Sequence, residues 1–222
     1  AATKCYDGPT LLDYLETVKV DTDQPEAFRF NVQYVIRPQS DEFHDYRGYA
    51  GKIKSGTIRV GEEIKVLSSG QTSKIKAISR YKEQLLSAKA GDSVTIELVD
   101  DIDISRGDIL SLASESLEGI KALSSKMCWL GKEDLVPQKR YILQHGSSTF
   151  PVKISSIKTQ LDFDSLSFES NPEKVSVNSI NEIDLKSASP LFIDDFKENP
   201  KNGYFILVDE VSNSTVAIGF KV

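Results

Sequence analysis

An all-β protein of two consecutive domains, entered through one short helix, is predicted by three features of this 222-residue sequence. Short runs of alternating apolar and polar residues recur along most of the chain, glycine-containing turn pairs separate them, and only one stretch near the start places apolar residues at helical spacing. The length suffices for two hydrophobic cores. Hydrophobic residues at 39% and charged residues at 27% are the proportions of a globular chain rather than a disordered one. No apolar run approaches the roughly 20 residues that a bilayer span needs.

The helix is expected in YDGPTLLDYLETVKV, residues 6–20. Pro9 suits a first helical position, and Leu11, Leu12, Leu15 and Val18 fall on one side. A helix this short is marginal in water by itself, so its apolar stripe needs a partner. After the linker DTDQPEA the period becomes two. In FRFNVQYVI, Phe28, Phe30, Val32, Tyr34 and Ile36 share one face while Arg29, Asn31, Gln33 and Val35 share the other, as in a half-buried strand. Strand-like runs AGKI, TIRV, EIKVL, SKIKAI, SVTIEL and DILSL follow, separated by Ser55-Gly56, Val60-Gly61, Ser69-Gly70, Ala90-Gly91 and Arg106-Gly107. Glycine reaches positive φ at little cost, so these pairs read as tight turns of a barrel or sandwich. ASESLEG, 113–119, reads as the connection between domains. Beyond it KALSSKMCWL, RYILQHG, STFPVKISSIK, EIDLKSASPL, GYFILVDE and TVAIGFKV supply six further strands, about the number a small closed barrel needs. The expected divisions are a helical segment at 1–23, a first β domain at 24–113 and a second at 119–222.

Reactive chemistry is sparse. No glycine-rich loop ends in Gly-Lys-Ser/Thr, and the lookalikes Gly51-Lys52 and Gly131-Lys132 read as ordinary strand and loop positions. His44 and His145 lie far apart and neither is close to a cysteine, so no zinc-ligand spacing forms and both read as loop or turn residues. Asp100, Asp101 and Asp103 cluster in VDDIDIS, where solvated turn carboxylates are a better reading than an acid–base pair. Trp129, beside Cys128, reads as core rather than as the floor of a ligand pocket. No residue is therefore assigned to catalysis, cofactor binding or a metal. Cys5 and Cys128 form no disulfide framework, and no export signal is legible, which together point to the cytoplasm. The net charge of −6 disfavours a general nucleic-acid binder. Lys52, Lys54, Arg59, Lys65, Lys74, Lys76 and Arg80 should project from one outer face, but Glu62, Glu63, Glu83 and Glu97 interleave with them and cancel much of their field.

RGYAGKIKSGTIRVGEEIKVL, 47–67, with KAGDSVTIELVDDIDISRGDIL, 89–110, resembles the second domain of the translation-factor GTPase superfamily. The barrel that follows the nucleotide domain of elongation factor Tu is the type. YDGPTLLDYLETV, FRFNVQYVIRP with DYRGYAG, and DIDISRGD narrow the resemblance to the large, GTP-binding subunit of bacterial sulfate adenylyltransferase. YILQHGSST and NPKNGYFILVDEVSNSTVAIG are similar to that subunit's third domain, while residues 160–180 match no motif of the family.

The resemblance implies two six-stranded Greek-key barrels, with the helix as the tail of a GTPase domain whose phosphate, switch and guanine-reading motifs would lie upstream of residue 6. GTP and magnesium are expected on that domain and no cofactor on these barrels. It also implies a separate small catalytic subunit that makes adenosine 5′-phosphosulfate and pyrophosphate from ATP and sulfate, with GTP hydrolysis helping to drive the reaction. The barrels' expected partners are that subunit and the GTPase domain, with no membrane. Arg37, Arg47 and Arg106, in or beside turns, are candidate interface residues because a guanidinium can hold a carboxylate by two hydrogen bonds. The competing reading is a translation-factor-type pair of barrels that holds tRNA or another RNA.

Overall fold

The structure, a computed structural model, describes residues 6–18, 27–38, 46–170, 172 and 174–222. Its single helix among these residues, α1 (Leu11–Thr17), is shorter than the sequence suggests because Thr10 caps it. The Asp13 amide donates to Thr10 Oγ1 at 3.1 Å and the Thr10 hydroxyl donates to Asp13 Oδ2 at 2.6 Å, so Pro9 precedes the cap instead of opening the helix. The apolar stripe is present and uncovered: Leu11, Leu12, Leu15 and Val18 are all exposed.

The first β unit contains β1 (Arg29–Ile36), β2 (Gly48–Ser55), β3 (Thr57–Arg59), β4 (Glu63–Val66), β5 (Thr72–Arg80), β6 (Glu83–Leu85), β7 (Ser87–Lys89), β8 (Ser93–Leu98) and β9 (Ile109–Leu112). Six of them run in the order β4-β9-β1-β2-β8-β5, and pairing of β4 with β5 closes the ring. β4, β5 and β8 are successive antiparallel neighbours with β2 beside β8, a Greek-key connection. β6 extends β5 outside the ring, and β3 and β7 form a separate ribbon. Phe28, Phe30, Ile53, Ile64, Ile78, Ile96 and Leu110 fill the interior. All five glycines of the expected turns have positive φ, between 71° and 100°.

β1 departs from its simple alternation. Phe28, Phe30 and Val32 enter the core as expected, but Arg29 and Asn31 on the opposite face are also buried. A register shift between Val32 and Tyr34 in the pairing with β2 then reverses the sense of the strand, leaving Tyr34 65% exposed. The first half of β1 is covered on both faces because the second barrel stands against it.

That barrel is built from β10 (Ile120–Trp129), β11 (Arg140–His145), β12 (Ser148–Asp162), β13 (Ser167–Ser170), β14 (Ile180–Leu191), β15 (Tyr204–Asp209) and β16 (Thr215–Lys221). The ring β11-β15-β16-β10-β14-β12 closes through β11 and β12, and β13 pairs only with the far end of β12. Its six ring strands are those expected from the alternation; β13, in the segment 160–180, is not among them. Trp129 is a core residue, edge-on to Tyr141 with ring centroids 5.8 Å apart, and its indole N–H donates to the Glu133 carbonyl at 2.9 Å. Met127, Leu143, Ile154, Leu185 and Phe205 complete the interior. The barrels are thus the expected all-β pair preceded by a helix, and what positions them is polar.

Candidate functional site at the barrel seam

Arg29, on the outward face of β1, is only 3% exposed. Its guanidinium donates through Nε and Nη2 to the two oxygens of Asp194, each at 2.9 Å, and through Nη1 to Glu115 Oε2 at 2.5 Å and the Phe28 carbonyl at 2.8 Å. Asp194 follows β14 in the second barrel, and Glu115 belongs to the connection between barrels. Burial alone lowers the tendency of this guanidinium to stay protonated, but the hydrogen bond and charge of Asp194, then those of Glu115, more than offset it and raise its pKa. Asp194 Oδ2 also accepts from the side-chain amides of Asn202 (2.8 Å) and Asn199 (3.1 Å), and Asn199 donates at 2.9 Å to Ser55 Oγ at the end of β2. The connection is pinned as well, since Glu115 Oε1 accepts the Phe28 amide at 2.8 Å. One carboxylate from the second barrel and one from the connection therefore meet one buried cation of the first barrel.

A second row of contacts uses backbone. Ser148 donates to the Gly107 carbonyl at 2.6 Å. Gly107 and Gly146 both have positive φ, and a Cβ on either would collide across the seam, with Ser148 Oγ and the Asn31 amide respectively. Beside them His145, 5% exposed, places Nε2 3.0 Å from the Asn202 carbonyl. A carbonyl only accepts, so Nε2 carries the proton. Burial holds the His145 pKa below 6.5; Lys54 adds to that bias, while the bond to Asn202 and the charge of Asp194 oppose it. Two clefts flank the seam: one of about 380 Å³ between Arg106, His145, Phe150 and Phe192, and one of about 480 Å³ between Arg29, Glu115, Asp195 and Glu198.

Comparison with known proteins gives this architecture relatives. Residues 49–111 match elongation factor Tu domain 2, and residues 122–220 match the GTP-eEF1A C-terminal domain-like family. Sulfate adenylyltransferase subunit 1 from Erwinia tasmaniensis is 38% identical over 215 residues, 96% of this chain and 44% of that protein. The subunit 1 of Citrobacter koseri is 36% identical over 99% of this chain and 45% of its own length. Over nearly its whole length the chain is similar to sulfate adenylyltransferase subunit 1, and its two barrels are similar to translation-factor barrels. It spans less than half the length of these relatives. Among solved structures, sup35 complexed with GDP superimposes with a TM-score of 0.78 at 20% identity, covering 98% of this chain and 52% of that one, a likeness of fold alone.

Within this pair of barrels the residues singled out from sequence are scattered. Arg47 pairs with Asp101 and donates to the Ile102 carbonyl at 2.9 Å within the first barrel. Arg106 is exposed and donates to the Gln33 carbonyl at 3.2 Å; Arg37 is exposed at the end of β1. Asp100 exchanges hydrogen bonds with Ser73, and Asp103 is exposed, so the acidic cluster is a loop feature. The lysine-rich face is laced with acids: Arg59 with Glu62, Lys76 with Glu97, Arg80 with Glu83. His44 and Cys5 lie outside the described residues, and Cys128 is a half-buried thiol. His145 is not a loop residue but the buried end of β11. Arg29, Asp194, Asn199 and Asn202 are the positions that sequence reasoning passes over. Their only signal is polar residues at alternating positions of an otherwise ordinary strand, and a polar run after β14.

Replacing Arg29 with Met should lower the unfolding free energy by about 3–5 kcal/mol in urea, because two buried carboxylates lose their cation. Adding Asp194→Leu should recover part of that loss; a single-variant cost under about 1 kcal/mol would contradict the network. His145 sets a pH dependence. Its pKa is depressed on folding, so the unfolded chain binds a proton below pH 6.5 that the folded chain refuses. Stability is full above that pH and declines below it. Between pH 6.5 and 5 the native chain should lose up to about 1.4 kcal/mol per pH unit relative to His145→Gln, measured by urea midpoints at each pH. Parallel pH profiles for the two proteins would sink this assignment.

Proposed function

We propose that these barrels form the coupling scaffold of the GTP-binding large subunit of a cytoplasmic sulfate adenylyltransferase. In this reading a small subunit carries the adenylyl transfer from ATP to sulfate, giving adenosine 5′-phosphosulfate and pyrophosphate. A GTPase domain of the large subunit binds GTP and magnesium. The chain's own residues bear none of that chemistry: they receive the state of the GTPase domain on one surface and present another to the small subunit. The observation that carries the reading is the 36–38% identity to sulfate adenylyltransferase subunit 1 over nearly the whole chain.

The seam supports the mechanical half of the proposal. A body can transmit orientation only if its parts do not turn against each other, and a buried Arg29–Asp194 pair with two parallel hydrogen bonds resists rotation as well as separation. Arg37 and Arg106, exposed on the first barrel, serve as contacts for acidic groups on a neighbour, while Arg47 stabilises its own barrel. An RNA-holding role fits less well, because three of the seven basic residues on that face are paired with glutamates and the chain carries a net charge of −6.

The test is a seam variant in the complete two-subunit enzyme. Asp194→Asn should cut the stimulation of adenylylsulfate formation by GTP at least fivefold, the lower end of an ordinary coupling free energy, measured by pyrophosphate release with and without GTP. Full GTP stimulation in a correctly folded Asp194→Asn enzyme would refute the scaffold reading.

A further inference from the structure

β13 takes no part in closing the second barrel, since β11 and β12 complete the ring without it. All four residues of β13 are exposed. On the hairpin Leu161 and Phe168 are cross-strand partners and share one face. The four-residue turn beyond them adds Phe163 and Leu166, and Phe163, Leu166 and Phe168 are 59%, 75% and 43% exposed. Three large apolar side chains within six residues, on a projection the core does not need, form a concentrated patch of the kind that marks a contact surface.

The turn that carries them is held in shape. Asp162 accepts from the Asp164 amide at 2.9 Å and from the Ser165 hydroxyl at 2.8 Å, and Leu166 sits in the left-handed region with φ 53°. A loop already ordered in its binding form loses less entropy on docking. Its charge selects the partner. Residues 159–170 contain Asp162, Asp164 and Glu169 and no lysine or arginine. Such a tip is repelled by phosphate backbones and anionic lipid, and complements an apolar groove with a basic rim on another protein.

We propose that the β12–β13 hairpin is a docking finger that inserts Phe163, Leu166 and Phe168 into a basic-rimmed apolar groove on the small catalytic subunit. The assignment of the partner rests on the function proposed above. Two variants of the large subunit test it by calorimetric titration with the purified small subunit: Phe163→Ser/Leu166→Ser/Phe168→Ser, and Asp164→Lys/Glu169→Lys. The first should bind at least tenfold more weakly with its melting temperature unchanged. The second, which leaves the apolar tip intact, should bind several-fold more weakly and lose part of the salt dependence of binding. Native-like affinity in both variants overturns the finger while leaving the scaffold reading in place. Failure of the unvaried large subunit to bind the small subunit at all overturns both.

Discussion

A guanidinium taken out of water must find its counter-ions within hydrogen-bonding reach, and Arg29 finds one of them only in the other barrel. This requirement dictates much of the arrangement around it. Asp194 has to stand opposite β1, so the loop after β14 is held there, and Asn199 and Asn202 donate to the same carboxylate oxygen that accepts Arg29 Nε. Glu115 closes the circuit from the connection between barrels, which is thereby a structural strut as well as a tether. A well-packed apolar seam of the same area would be about as stable. An ion pair with two parallel hydrogen bonds adds a preferred angle, because turning one barrel against the other misaligns both bonds at once.

The surrounding features follow from the closeness this pairing imposes. Gly107 and Gly146 leave room where backbones meet across the seam. Burial, aided by Lys54, disfavours the protonated form of His145 there. With the seam rigid, the free surfaces keep fixed directions relative to each other. These are the arginines at the end of β1 and beside Gly107, and the β13 end of the second barrel. Relay between two neighbours needs no bistable element inside such a body; it needs the body not to bend.

The fold was largely legible in the sequence, since alternation and glycine turns are local signals and the barrel interiors obey them. Ile64, Ile78, Leu143 and Phe205 all point where their period places them. The seam was not legible. Arg29 and Asn31 occupy positions that a half-buried strand gives to solvent, and only a second unit, folded from residues 165 positions away at Asp194, buries them. Period-two reasoning sees one strand and its core, never the neighbour on its other face. The short helix failed at its boundary for a different reason: Thr10, not Pro9, satisfies the first free amides. The arginines chosen for exposure beside turns divided accordingly, with Arg47 held by Asp101 and Arg106 left at the surface.

The central claim is that the two barrels are one rigid body. Backbone ¹⁵N relaxation on the chain tests it without any variant. Amides of β1–β9 and of β10–β16 should fit a single rotational diffusion tensor, with its principal axes placed as the structure requires. Separate correlation times for the two sets of strands would show barrels tumbling independently, and would contradict a seam that fixes their orientation.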